Sequence, residues 1–139
     1  MYQLNYHSIS KAGLTLEHLE NILEEAVATN SERHISGCLV YHNNCFVQIL
    51  EGEKKDVLHV FKKIKSDERH HTVNLLWEND VYKRYFTNWN MAFYRPDDKF
   101  SMQFVDNLLL LSTFSEKSSG SLMSFWGHVQ RVLGSDSKP

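Results

Sequence analysis

The stretch from Cys45 to Glu51 (CFVQILE) constrains this chain most, because it reads as a β-strand with no side to show to water. Side chains alternate along a strand, so Phe46, Gln48 and Leu50 share one side while Cys45, Val47 and Ile49 share the other. From Cys45 to Leu50 both rows are apolar apart from one amide. Such a strand belongs inside a sheet with a covering layer on each face. Gln48 is the exception. A buried amide costs about 1–3 kcal/mol per unpaired group, so its partners must lie within the fold.

A second apolar run, Ile35 to Tyr41, precedes this strand, and Asn43-Asn44 separates the two. Asparagine tolerates positive φ, so a two-residue type I′ turn pairs His42 with Cys45, Cys38 with Ile49 and Leu39 with Gln48, and sets Gly37 near Leu50. Cys38 and Cys45 then lie in different rows and are expected to stay unpaired. Upstream, Tyr2 to Ser8 alternates as a first strand with Tyr2, Leu4, Tyr6 and Ser8 on one side. Thr15 is placed to cap a helix with the stripe Leu16, Leu19, Ile22, Leu23, Ala26 and Val27. A second amphipathic helix carries Val57, Val60, Phe61 and Ile64, with lysines on its wet side. Val73 to Trp77 and Trp89 to Phe93 read as further strands. The order β-α-β-β-α-β plus one strand predicts an α+β fold, a ferredoxin-like sheet with both helices on one face.

The other face is too apolar to be bare, since Cys38, Val40, Val47, Ile49, Ala92 and Val73 or its neighbours project there. The chain after Pro96 supplies a cover. Phe100, Phe104, Leu108 and Leu111 recur at helical spacing, Ser118-Ser119-Gly120 reads as a break, and Leu122, Phe125, Trp126, Val129, Val132 and Leu133 follow. A C-terminal helical pair packed on the second face is expected. The expected organisation is therefore residues 1–95 as one domain, 96–134 as a helical extension and 135–139 as a frayed tail.

With 139 residues the chain is long enough to bury about two thirds of its unfolded surface without disulfides or a structural metal. A net charge of −2 gives no electrostatic reason to expect nucleic acid or an anionic membrane as a partner. The longest uninterrupted apolar run is Leu108 to Leu111, and the N-terminus has no charged region leading into an apolar core, so a cytoplasmic location is expected. None of the 8 histidines falls in an HExxH or HxH pattern, and no metal is expected.

Polar residues occur where the apolar patterns call for apolar ones. The first helix's stripe continues to Asn30, which is either a helix C-cap or an inward amide. The second helix's stripe continues to Asp67. With Tyr6, Gln48 and Arg69, these residues surround a volume walled by Ile22, Phe46, Leu39 and Ile64. A mostly apolar pocket with a few orienting hydrogen-bonding groups suits a flat guest with amide-like edges. No Ser/His/Asp order, acid–base pair or cysteine nucleophile accompanies it, and there is no glycine-rich phosphate loop.

Tyr6-x-Ser8, Asn30, SGCLVY, FVQILEG around Gln48, IKSDERH from Ile64 to His70 and FTNWNM with Trp89 and Met91 occur in that order. From Tyr2 to Phe93 the chain thereby resembles the BLUF domains, blue-light sensors that use FAD. The resemblance implies a flavin ring between the two helices, sandwiched by Ile22 and Ile64. Asn30 would bond its pyrimidine edge, with Arg69 and His70 nearby and Asp67 supporting the end of the second helix. Tyr6 and Gln48 would be the photoactive pair. Light would drive an electron and then a proton from Tyr6 through Gln48, and recombination would leave Gln48 rotated or tautomerised, with a slight red shift of absorption. Trp89 and Met91, two apart on one face of the last strand, and Ser8 would relay the change. The cofactor implied is FAD, with FMN or riboflavin as alternatives.

The leading expectation is thus a short flavin photoreceptor without enzymatic activity of its own. It would signal through its helical tail to a separate effector protein or by homo-oligomerisation. A non-photoactive flavin-binding or small-ligand-binding regulatory module is the main rival. A small enzyme of the acylphosphatase kind would need an arginine in the loop after the first strand, where His7 to Gly13 offers a lysine and one glycine.

Overall fold

The computed structural model describes the backbone of residues 1–87, 89–111 and 115–136, and the side-chain surroundings of these residues apart from 108–121 and 135–136. Nine elements follow in order: β1 (Tyr2–Ser10), α1 (Leu16–Glu32), β2 (Ser36–His42), β3 (Cys45–Gly52), α2 (Lys54–Lys65), β4 (His70–Asp80), β5 (Ala92–Tyr94), α3 (Lys99–Leu111) and α4 (Ser115–Asp136). The strands form one sheet in the order β4-β1-β3-β2-β5. The first four pair antiparallel in the ferredoxin-like arrangement, and β5 joins β2 in parallel.

Local chemistry accounts for much of this. Asn43 and Asn44 have φ of 51° and 61°, the left-handed pair a type I′ turn needs, and the register is the expected one: His42 with Cys45, Leu39 with Gln48, Gly37 with Leu50. Thr15 caps α1 by accepting from the His18 N–H at 3.2 Å, while His18 Nδ1 accepts from the Thr15 N–H at 3.0 Å. Cys38 and Cys45 are free thiols.

Each sheet face has its own core. On the first, Leu19 of α1 and Val57, Val60 and Phe61 of α2 pack with Leu4, Tyr6, Phe46 and Leu50. On the second, Leu122, Phe125, Trp126 and Val129 of α4, with Val105 of α3, cover Cys38, Val40, Val47 and Ile49. Burying each of these α4 side chains is worth about 1.5–3 kcal/mol, which is what holds the cover in place.

Several expectations need correcting. Ser118-Ser119-Gly120 do not break the tail: α4 starts at Ser115 and runs through them. One interior glycine costs a helix only about 1 kcal/mol, less than the stripe that follows gains by burial. Residues 112–114 and the side chains of Leu108 and Leu111 lie outside the described residues. Leu76, not Val73, reaches the second face, because irregularities between β1 and β4 shift the alternation, and Val73 packs on the first. β4 is also longer than Val73 to Trp77, since its polar ends pair with β1 from Ser10–His70 to Tyr2–Asp80. β5 is shorter, leaving Trp89 and Met91 before it. Among the described residues, no helix is long and apolar enough to cross a membrane.

Candidate functional site

Between α1 and α2, above β1 and β3, lies a cavity of about 190 Å³. Ile22 and Ile64 line it from the two helices, Phe46 and Leu39 from the sheet, and Tyr6, Asn30, Gln48, Asp67, Arg69 and His70 bring its polar atoms. Thr29, Glu25 and Lys63 also line it, residues that the sequence patterns do not single out.

Gln48 sits at the floor, 4% exposed. The β1–β3 register sets Tyr6 directly across from it, and the Tyr6 hydroxyl donates to Gln48 Oε1. Complete burial, with a smaller effect from the Asp67 charge, pushes the Tyr6 phenol far above its usual range, so it stays protonated and remains a donor. At the amide's other end Nε2 donates to Met91 Sδ at 3.3 Å. A thioether is a weak acceptor and cannot donate. Turning the amide end for end would set its oxygen against that sulfur, so the protein's own atoms favour one orientation, and only weakly on the Met91 side.

Asn30 is not the cap of α1. That place belongs to Arg33, and Asn30, one turn inside the helix, is 1% exposed. Its Nδ2 donates to the Asn90 carbonyl at 2.9 Å, while its Oδ1 has no partner among the described residues. A buried acceptor left open is costly, and here it belongs to a residue lining the cavity. An N–H on a guest's edge would satisfy it. Asp67 and Arg69 hold one another through Arg69 Nε at 3.0 Å and Nη2 at 2.6 Å, and Arg69 also reaches Glu25 at 2.7 Å. These bonds from Arg69 lower the Asp67 carboxyl below its ordinary range. His70 commits both ring nitrogens to the protein: Nε2 lies 2.5 Å from the Ile64 carbonyl and Nδ1 2.7 Å from the Ser8 hydroxyl. A carbonyl only accepts, so Nε2–H donates to it, and Nδ1 of that tautomer accepts the Ser8 O–H.

A family model described as BLUF, sensors of blue-light using FAD, matches residues 1–92. The chain belongs to the BLUF family. A BLUF domain is a flavin-using blue-light sensor, so the matched residues form a sensory module. Photoactivated adenylate cyclase subunit beta of Euglena gracilis is 30% identical over 90 residues, 64% of this chain and 10% of that protein. The corresponding subunit of Euglena longa is 32% identical over the same length. This BLUF chain thus matches only about a tenth of the length of those relatives. BlsA in its photo-activated state superposes with a TM-score of 0.78 at 27% identity, covering 93% of this chain and 94% of that one. A bacterial light-regulated adenylyl cyclase gives 0.70 at 31% identity, over 86% of this chain and 36% of that one. BlrB in its dark state shares the fold, with a TM-score of 0.72 at 20% identity over 97% of this chain and 96% of that one.

Trp89 and Met91 do not share a face of the last strand in this BLUF structure. Met91 is buried on the first face beside Gln48, whereas Trp89 packs into the core under α4. The segment is laced rather than laddered: Gly37 N–H donates to the Trp89 carbonyl at 3.1 Å and Asn90 Nδ2 to the Ile35 carbonyl at 3.3 Å. An irregular backbone breaks the period of two, so spacing could not reveal that these residues part. Gly37 lets the backbone of β3 approach closely here. A Cβ there would fall 2.0 Å from the Ile49 carbonyl oxygen and 3.4 Å from Met91 Cε.

Proposed function

We propose that Tyr6, Gln48 and Met91 form the light-switched unit of this sensor, and that the flavin lies between α1 and α2 in the Ile22–Ile64 cleft. The observation that carries this is a buried amide bonded at one end to a phenol and at the other, among the described residues, only to a thioether. When bound, the flavin would supply blue-light absorption and an electron-accepting ring. Tyr6 is the electron and proton donor on the protein side, held neutral by burial. Gln48 is the relay, because an amide exchanges a donor for an acceptor by turning or tautomerising. Met91 holds the amide's nitrogen end only by a weak bond, so turning the amide gives up little on that side. Asn30 Oδ1 would accept from the ring's N–H edge, with Asp67, Arg69 and His70 shaping that rim. FAD is the form the family's description names, with FMN and riboflavin as alternatives.

Output would pass from Trp89, Met91 and Ser8 to α3 and α4, and from there to a separate effector protein or a second copy of the chain. Residues 1–95 would be the sensing unit and 96–134 the output extension, ending in a tail from 135. Two free thiols suit the reducing cytoplasm. The purified, flavin-loaded chain should show a small reversible red shift under blue light. A Gln48→Leu variant that binds flavin and still shifts would refute the relay.

A further inference from the structure

β1 turns a polar row toward α4. Gln3, Asn5 and His7 are all fully buried, opposite Glu51, Ile49 and Val47 of β3. Gln3, Asn5 and Glu51 join Trp126 in one directed run of hydrogen bonds. Trp126 Nε1 of α4 donates to Asn5 Oδ1 at 2.5 Å, Asn5 Nδ2 to Gln3 Oε1 at 3.3 Å, and Gln3 Nε2 to Glu51 Oε2 at 3.2 Å. The Glu51 carboxylate also accepts the backbone N–H of Tyr85 at 2.7 Å and of Phe86 at 2.9 Å. Burial raises its pKa, and these donors together with the Arg84 charge oppose that rise.

The run closes on itself. The Phe86 ring meets Trp126 edge-on, with centroids 5.8 Å apart, and Gln130 Nε2 of α4 donates to the Tyr85 carbonyl at 2.8 Å. Phe86 further packs on Trp89, and its carbonyl accepts the Trp89 N–H at 3.3 Å. The segment that ends in Trp89 and Met91 is therefore tied to α4 through β3 and β1, and not only through β5. Hydrogen bonds have directions and short ranges, so a small displacement at one end of a sealed run cannot be absorbed as readily as by sliding apolar contacts.

We propose that Glu51, Gln3, Asn5 and Trp126 are positioning residues that couple the 85–91 segment to α4, so that a change at Met91 alters the seating of that helix. This rests on the light-sensing reading above, and the test separates the two.

Hydrogen–deuterium exchange of residues 122–134 is followed in the full flavin-loaded chain, in the dark and under blue light, alongside the absorption shift. Trp126→Phe keeps an aromatic ring at the site and removes the indole N–H together with part of the ring, a loss of packing that the Phe104→Leu control accounts for. Gln3→Met interrupts the run at its middle with similar volume. Phe104→Leu serves as control, because it loosens the cover by disturbing the Phe104–Phe125 stack at 4.4 Å without touching the run. The expected result is a normal red shift in all three variants, with the light-minus-dark exchange difference lost in the first two and kept in the control. An unchanged difference in Trp126→Phe and Gln3→Met overturns the coupling while leaving the sensing intact. Loss in Phe104→Leu as well overturns it too, since any loosening would then suffice. A wild-type chain with no red shift removes the sensing itself, and the coupling with it.

Discussion

The two faces of the sheet are built from the same strands and finished differently. The face under α1 and α2 keeps a cavity and leaves Asn30 Oδ1 without a partner where a guest could supply one. The face under α4 encloses the largest fully buried side chain, Trp126, and runs a polar chain from Glu51 to that indole. It too has an orphan: both ring nitrogens of His7 lack partners among the described residues, at zero exposure. The first face is incomplete in a way that binding can repair. On the second, the cost of the orphan stays in the fold, and packing must outweigh it.

The largest test of this contrast is truncation on each side. Trp126→Ala should cost about 3–5 kcal/mol in urea unfolding, the range for a large buried aromatic. Ile22→Ala, half-buried beside the cavity, should cost about 1 kcal/mol in the flavin-free chain. Equal costs would erase the distinction. Next, Glu51→Leu strands the Tyr85 and Phe86 N–H groups, and at about 1–3 kcal/mol for an unsatisfied buried group it should lower the unfolding midpoint well below wild type. A wild-type midpoint would show that the polar chain bears no load.

Asn30→Leu should sharpen the picture from the other side. It removes the open acceptor along with the bond to the Asn90 carbonyl, two opposed effects, so the flavin-free chain should lose no more than about 1 kcal/mol, while flavin affinity measured by titration should fall about tenfold, equivalent to about 1.4 kcal/mol. Unchanged affinity would mean the orphan is not addressed to the guest. The smallest effect concerns pH. Burial lowers the His7 pKa below its ordinary 6.5, so the unfolded chain binds a proton that the folded chain refuses. Stability from this residue is present above about 6.5 and is lost as pH falls below it. His7→Leu should flatten that part of the unfolding profile relative to wild type, and parallel profiles would assign the acid sensitivity elsewhere.

Much of this was legible beforehand. Asn43-Asn44 and the alternation around it gave the hairpin register, and helical periodicity carried Asn30 to the inner side of α1. Gln48 announced a buried polar site by standing alone in an apolar row. The polar run beneath α4 was not legible, because Gln3, Asn5 and His7 look the same in a sequence whether a strand's second row is wet or sealed. Nor was the parting of Trp89 from Met91, which depends on an irregular segment laced to β2 and α1.

By itself, the sequence determined the features that repeat over a few residues: strand alternation, helix stripes, the capping and turn residues, and the need of one amide for company. Those follow from backbone geometry within a single element. The tertiary structure alone decided which polar atoms are sealed together, as when Trp126 meets Asn5 across a separation of 121 residues. It also decided that Met91, not Trp89, lies against Gln48. Such pairings depend on how whole layers stack, since a side chain's electrostatic surroundings come from elements far along the chain.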